Sequence, residues 1–112
     1  MIKPIAPLLL SAAFYFALAG QQQTAVYSGA QAARGQAIYA AKCASCHGEQ
    51  LEGKTASPLS GPRFAAKWGD GRHNVDELYF ITRTQMPYGA GGTLTNQQYI
   101  DTVAVILKAN GY

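Results

Sequence analysis

The sequence predicts an all-α domain, and three observations carry that prediction. Apolar residues recur at helical spacing in three segments, from about Gly29 to Cys46, from Asn74 to about Arg83 and from Thr95 to about Ala109. The second and third of these open on capping-box patterns. No alternating apolar pattern of the kind that marks strands surrounds them. At 112 residues the chain holds one small domain, near the size where burial of protein surface alone gives only marginal stability. No internal repeat or second domain is visible.

Taken in order, the first nineteen residues stand apart: Lys3 gives a positive start, Leu8 to Leu18 is an apolar run, and Ala17-Leu18-Ala19 is a small-x-small cleavage signal. Residues 1–19 therefore read as a secretory signal peptide cut after Ala19. The run is short for a span of about 20 residues, and Pro4 and Pro7 sit at its start, which argues against a retained anchor. Residues 20–31 are small and polar, with Gln21, Gln22 and Gln23 at their head, and read as a flexible leader before a domain at 32–112. In the first helical segment Ala33, Ala37, Ala40 and Ala41 favour helix, while Ile38 and Tyr39 supply apolar bulk. Gly35 costs helix stability, so its position four residues before Tyr39 points to the close approach of another backbone.

Residues 48–71 carry five glycines and two prolines and read as loop, with at most a short turn of helix. Leu51, Leu59, Phe64 and Trp68 are its apolar points. Asn74 and Glu77 form the cap of the next helix, which Gln85-Met86-Pro87 ends because the residue before proline avoids helical geometry. Met86 is thereby placed in a loop. Thr95 and Gln98 open the last helix, whose Tyr99, Val103, Ile106 and Leu107 form an apolar stripe widened by Ile100 and Ala104; Asn110-Gly111 closes it.

Charge excludes one class of partner. Without the leader's Lys3, eight basic residues face six acidic ones, and the basic residues form no run, so nucleic-acid binding has no support.

The chemistry lies in Cys43-Ala44-Ser45-Cys46-His47, the pattern at which a c-type haem is covalently attached. On a helix Cys43 and Cys46 are i and i+3, and Cys43 and His47 are i and i+4, so all three share a face. Two thiols can add to the two porphyrin vinyl groups while the imidazole reaches the iron from the same side. A thioredoxin-like redox dithiol is a rival, but it belongs in a βαβ pattern that is absent here. Zinc needs four ligands, and outside the motif His73 is the only other His or Cys. A simple disulfide is the remaining rival, and His47 directly after the pair argues against it.

After loss of Met1 with the leader, Met86 is the only methionine. Its soft thioether suits haem iron, and it is followed by Pro87 and the glycine-rich Gly89-Ala90-Gly91-Gly92 instead of lying in an apolar stripe, so it reads as the second axial ligand. His73, among polar neighbours just ahead of a helix cap, reads as a surface histidine. Trp68 reads as core packing against the porphyrin, with an indole N–H able to reach a propionate.

These residues resemble the class I c-type cytochromes from about Ala32 to Tyr112. Gly35, Tyr39 and Cys43 look like the family's N-terminal helix, and Tyr99 looks like the aromatic of its C-terminal helix. The resemblance implies a small class I cytochrome c fold, three to four helices and loops wrapped around one haem c, with the two helices crossing closely at Gly35. His47 and Met86-Pro87 occupy the axial-ligand positions. Leu59-Ser60-Gly61 resembles the proximal loop, in which a backbone carbonyl orients the histidine; the usual proline is displaced, so that role falls to Ser57 or Pro58. A narrower similarity, through Phe64, Trp68, Leu78, Gly92-Thr93-Leu94-Thr95 and Asn110-Gly111-Tyr112, is to cytochrome domains associated with quinoprotein alcohol or sugar dehydrogenases. Gly91 replaces a frequent proline of the Met loop there, which points to a more mobile ligand loop.

The function expected is that of a periplasmic electron carrier, with no catalysis of its own, whose iron cycles between Fe(III) and Fe(II) while both axial ligands stay bound. Its partners would be redox proteins: a dehydrogenase, an oxidase or another cytochrome. Two other functions fit the motifs. One is a tightly bound electron-accepting subunit of a periplasmic quinoprotein dehydrogenase, and the other is a gas-binding haem protein formed if Met86 dissociates.

Overall fold

In the computed structural model, residues 2–4 and 26–112 are described. The expected signal peptide apart from residues 2–4, and the expected leader up to residue 25, lie outside the described residues; residues 29–31, expected as leader, are helical. Five helices follow in order: α1 Gly29–Lys42, α2 Ala44–His47, α3 Pro62–Trp68, α4 Val75–Gln85 and α5 Asn96–Ala109. The described residues contain no strand. The all-α expectation holds, with two more short elements than the three segments led us to expect.

α1 starts at Gly29 because Ser28 caps it. The Ser28 hydroxyl accepts from the Gln31 amide at 3.1 Å, and the Gln31 side chain returns the bond to the Ser28 amide at 2.7 Å. The helix does not run unbroken through the motif. At Cys43 the backbone departs from helical geometry (φ −122°, ψ −37°), and the one-turn α2 begins. Hydrogen bonding bridges the bend, since the Cys43 N–H donates to Tyr39 O at 2.9 Å and Cys43 O accepts from His47 N–H at 3.0 Å.

α3 is a seven-residue helix in a segment expected to be loop with a short turn of helix. Gly61 at φ +82° turns the chain, Pro62 stands in the first turn where its missing N–H is no loss, and Phe64 is buried. α4 opens on Asn74, whose side chain accepts from the Glu77 amide at 2.9 Å; the return bond from Glu77 does not form. It ends where Met86 turns extended ahead of Pro87 (φ −116°, ψ 152°).

α5 is the centre of the fold. Thr95 and Gln98 form the full capping box, and Tyr99 and every residue from Asp101 to Leu107 are buried. One apolar stripe was expected, but α5 is covered on more than one side, and Ile100 faces solvent at 38 % exposure instead of widening the stripe. α1 packs along α5, and α4 packs against it as well. At the α1–α5 crossing a Cβ on Gly35 would stand 1.9 Å from the Asp101 carbonyl oxygen, so only glycine fits. Just outside this pair, the Tyr27 hydroxyl ahead of α1 donates to the Tyr112 carbonyl beyond α5.

Candidate functional site

α2, the loop behind it, α3, α4, the loop that opens on Met86, and α5 line a cavity of about 580 Å³. Cys43, Cys46, His47, Leu59, Trp68 and Met86 all border it, so most of the residues singled out in the sequence meet in one space. The volume falls in the range of about 300–1,000 Å³ typical of cofactor sites.

The backbone around the motif is held from several directions. The carbonyls of Cys46 and His47 accept from the amides of Ala56 (2.9 Å) and Gly53 (2.7 Å), which folds the following loop back onto α2. The Tyr39 hydroxyl, on a side chain with no exposure, donates to the Gly48 carbonyl at 2.6 Å. Burial, with Cys43 and Glu52 nearby, pushes the Tyr39 phenol up to about 12, so it keeps the proton it donates.

His47 is buried at 8 % exposure, and its Nδ1 lies 2.7 Å from the Ser57 carbonyl. A carbonyl only accepts, so Nδ1 carries the proton and Nε2 keeps its lone pair for a metal. The carbonyl is that of Ser57 and not of Pro58. Pro58 does not border the cavity; its ring packs where a Cβ on Gly53 would stand, about 3.0 Å away. Burial and the neighbouring Cys46 hold the Cys43 thiol above its ordinary value. A redox-active dithiol needs a lowered thiol pKa, and Cys43 is shifted the other way.

Trp68 is half-buried and borders both this cavity and a smaller one of about 290 Å³. It stacks on Phe64 with ring centroids 6.2 Å apart. His73 lines the smaller cavity and does not border the larger one. Its ring meets Trp68 edge-on at 5.2 Å, and its Nδ1 lies 3.1 Å from the Asp70 carboxylate.

Several residues at the site were not singled out from the sequence. Thr82, Thr102 and Ile106 border the cavity. The Asn110 side chain donates to the Leu59 carbonyl at 2.9 Å and so anchors the loop that carries Ser57 and Leu59. The Asn-Gly at the end of α5 was the available signal, but it reads first as a helix stop.

The donor set fits a covalently attached haem. Two thiols, an imidazole with Nε2 available and a thioether border a single cofactor-sized cavity with Leu59, Leu78, Ile81 and Ile106 in its walls. Among the described residues no cluster of three or more His, Cys, Asp or Glu side chains could hold a bare metal ion. No described helix is long and apolar enough to cross a membrane.

Comparison with known proteins agrees with this chemistry. Residues 30–105 match the family model described as cytochrome c oxidase, cbb3-type, subunit III. The thiosulfate dehydrogenase of Stutzerimonas stutzeri (strain A1501) is 35% identical over 74 residues, covering 61% of this chain and 24% of that protein. The thiosulfate dehydrogenase of Thiomonas intermedia (strain K12) is 35% identical over 82 residues, covering 68% of this chain and 26% of that protein. The chain thus spans about a quarter of the length of these curated relatives. No solved structure matches it.

Proposed function

Since this chain belongs to the class I c-type cytochromes, with one covalently bound haem c, we propose that it is a periplasmic one-electron carrier between a donor dehydrogenase or respiratory complex and an acceptor protein. The haem supplies the one-electron couple. The observation that carries the reading is the single cavity bordered by Cys43, Cys46, His47 and Met86.

In this reading Cys43 and Cys46 hold the porphyrin as thioethers and His47 is the proximal ligand, kept in one tautomer by Ser57. Met86 takes the sixth position. Leu59 and Trp68 exclude water from the ring, which limits the reorganisation that accompanies a change of charge. Lys42 and Lys67 border the cavity and no acidic side chain does, so an acidic partner surface complements the port. Residues 1–19 act as the export signal and the segment after it as a leader that ends ahead of the Ser28 cap, where the carrier domain begins, with neither nucleic acid nor stable membrane insertion involved.

A second reading is favoured by the names of the relatives: a cytochrome that stays bound to a larger dehydrogenase and accepts its electrons. The resemblance to cytochromes of quinoprotein dehydrogenases names a different substrate from the thiosulfate dehydrogenases, but the role is the same. Stable co-purification with a catalytic subunit supports this reading over a free shuttle.

The exported ferric protein should show a near-infrared methionine–sulfur charge-transfer band. Met86→Ala should abolish the band, lower the reduction potential and let the ferrous protein bind carbon monoxide that the parent excludes. A potential unchanged in Met86→Ala, or free carbon monoxide binding by the parent, overturns closed His/Met ligation. Reduction of the isolated ferric protein by thiosulfate, with no other protein present, would make the chain an enzyme and not a carrier.

A further inference from the structure

Met86 opens a loop, residues 86–94, whose two ends are tied by one hydroxyl. The Tyr99 oxygen donates to the Met86 carbonyl at 2.7 Å and accepts from the Leu94 amide at 3.3 Å. Tyr99 is 1 % exposed in the most buried helix of the fold, so the oxygen is fixed by α5 and not by the loop it closes.

The middle of the loop is seated on a second element. The Arg83 carbonyl has no helical partner, because the residue four positions on is Pro87, which has no N–H. The Gly92 amide donates to it instead, at 2.9 Å. Beside that bond, a Cβ on Gly91 would stand 2.0 Å from the Thr84 carbonyl oxygen. Gly91, which the sequence marked as a source of loop mobility, is the residue that lets the loop lie flat against the end of α4. Within the loop, Ala90 donates to the Pro87 carbonyl at 2.7 Å and the Thr93 hydroxyl to the Ala90 carbonyl at 2.7 Å.

We propose that Tyr99 and Gly91 are positioning residues for the Met86 thioether: the Tyr99 hydroxyl staples the ligand loop shut, Gly91 seats it on α4, and together they set how readily an outside ligand takes the sixth position. The proposal rests on Met86 being the axial ligand. Withdrawal of Met86 moves the start of the loop, and that motion breaks the Tyr99 bond to its carbonyl. The alternative role for Tyr99 is core packing alone, where its ring fills buried space and its oxygen merely finds a nearby acceptor. The two roles differ in what the oxygen does to the haem.

Tyr99→Phe separates them, because it keeps the ring and removes only the oxygen. The test uses the exported holoprotein, with imidazole titrated against the ferric form, the methionine–sulfur band followed in the near infrared and carbon monoxide offered to the ferrous form. Tyr99→Phe should raise the apparent imidazole affinity by about tenfold, the factor carried by one neutral hydrogen bond, and lose the band at correspondingly lower imidazole. Gly91→Ala should shift the same two readouts in the same direction. Val103→Ala thins the core of the same helix at a residue that neither borders the cavity nor takes part in the loop's hydrogen bonds, and should leave the imidazole affinity at the parent value. A Tyr99→Phe protein with the parent's band and affinity overturns the proposal. So does a Val103→Ala protein that gains as much as Tyr99→Phe, since general loosening then explains the effect. If the parent lacks the methionine–sulfur band, the axial-ligand reading fails and takes the proposal with it; a band present in the parent and unmoved in Tyr99→Phe sinks the proposal alone.

Discussion

A carboxylate only 2 % exposed between two helices has to be paired, and Asp101 is paired three times. Arg34 grips it through Nε at 3.0 Å and Nη2 at 3.1 Å, and the Gln97 amide donates at 2.8 Å. The Arg34 guanidinium above all, with Gln97, holds the Asp101 carboxyl below the usual carboxylate range, although burial pulls the other way. The folded value lies below the unfolded one, so the unfolded chain binds the extra proton first. The stabilisation is therefore complete above the ordinary Asp value of about 3.9 and is lost as pH falls through the depressed folded value. Thermal unfolding of the holoprotein should show a steeper acid limb below about pH 4 than the Asp101→Asn variant. Parallel limbs would mean that the pair does not titrate in this way. Neither this pair nor the Tyr99 bond to Met86 was legible in the sequence. Helical spacing says which residues share a face, but it does not say which polar group meets a partner 67 positions away.

Between elements, the α1–α5 crossing decides most. Gly35 was legible as a close approach because a glycine inside an alanine-rich helix needs a reason, and its tightest contact is with backbone: an added Cβ would stand 1.9 Å from the Asp101 carbonyl oxygen, with the Val105 side chain next at 2.8 Å. A flexible side chain could give way, but a carbonyl within α5 cannot move without shifting the helix. Gly35→Ala should destabilise the holoprotein by about 2–3 kcal/mol, a fall in Tm of roughly 10–20 °C. Gly29→Ala is the matched control, since nothing lies within 4 Å of its added Cβ at the first residue of α1, and it should leave Tm level or slightly raised. Equal losses at the two positions would mean that the crossing is not the cause. α1, α4 and α5 could be seen in advance because each joins a periodic apolar pattern to a recognisable boundary. α3 was hidden by its flanking glycines, although Gly61-Pro62 followed by Phe64, Ala65 and Ala66 is also a helix start. The bend at Cys43 carries no local signal, as cysteine neither breaks helices nor caps them. Leu59, Trp68, His47 and Met86 could be named from their residue types, whereas choosing Ser57 over Pro58 needed the path of the loop.

At the scale of the molecule, four helices and two loops present side chains to one cavity, while α1 reaches it only through its last residue, Lys42. Leu59, Trp68, Leu78, Ile81 and Ile106 line this space of about 580 Å³, and without a haem these apolar side chains face water in it. The haem is therefore core as well as redox group, and the chain without it should not keep its packing. The penalty falls unevenly, because the α1–α5 contact at Gly35 does not involve the cavity, while α3 packs along no other helix and α4 has a smaller contact with α5 than α1 has, and both line the cavity. A Cys43→Ala/Cys46→Ala chain made without haem should lose its near-UV circular dichroism and its cooperative thermal transition. Hydrogen exchange should leave whatever protection survives in α1 and α5, with α3 and α4 open. A haem-free chain that unfolds cooperatively, with α3 and α4 protected as well as α5, would show that the polypeptide carries its own core and that the cavity is only a binding site.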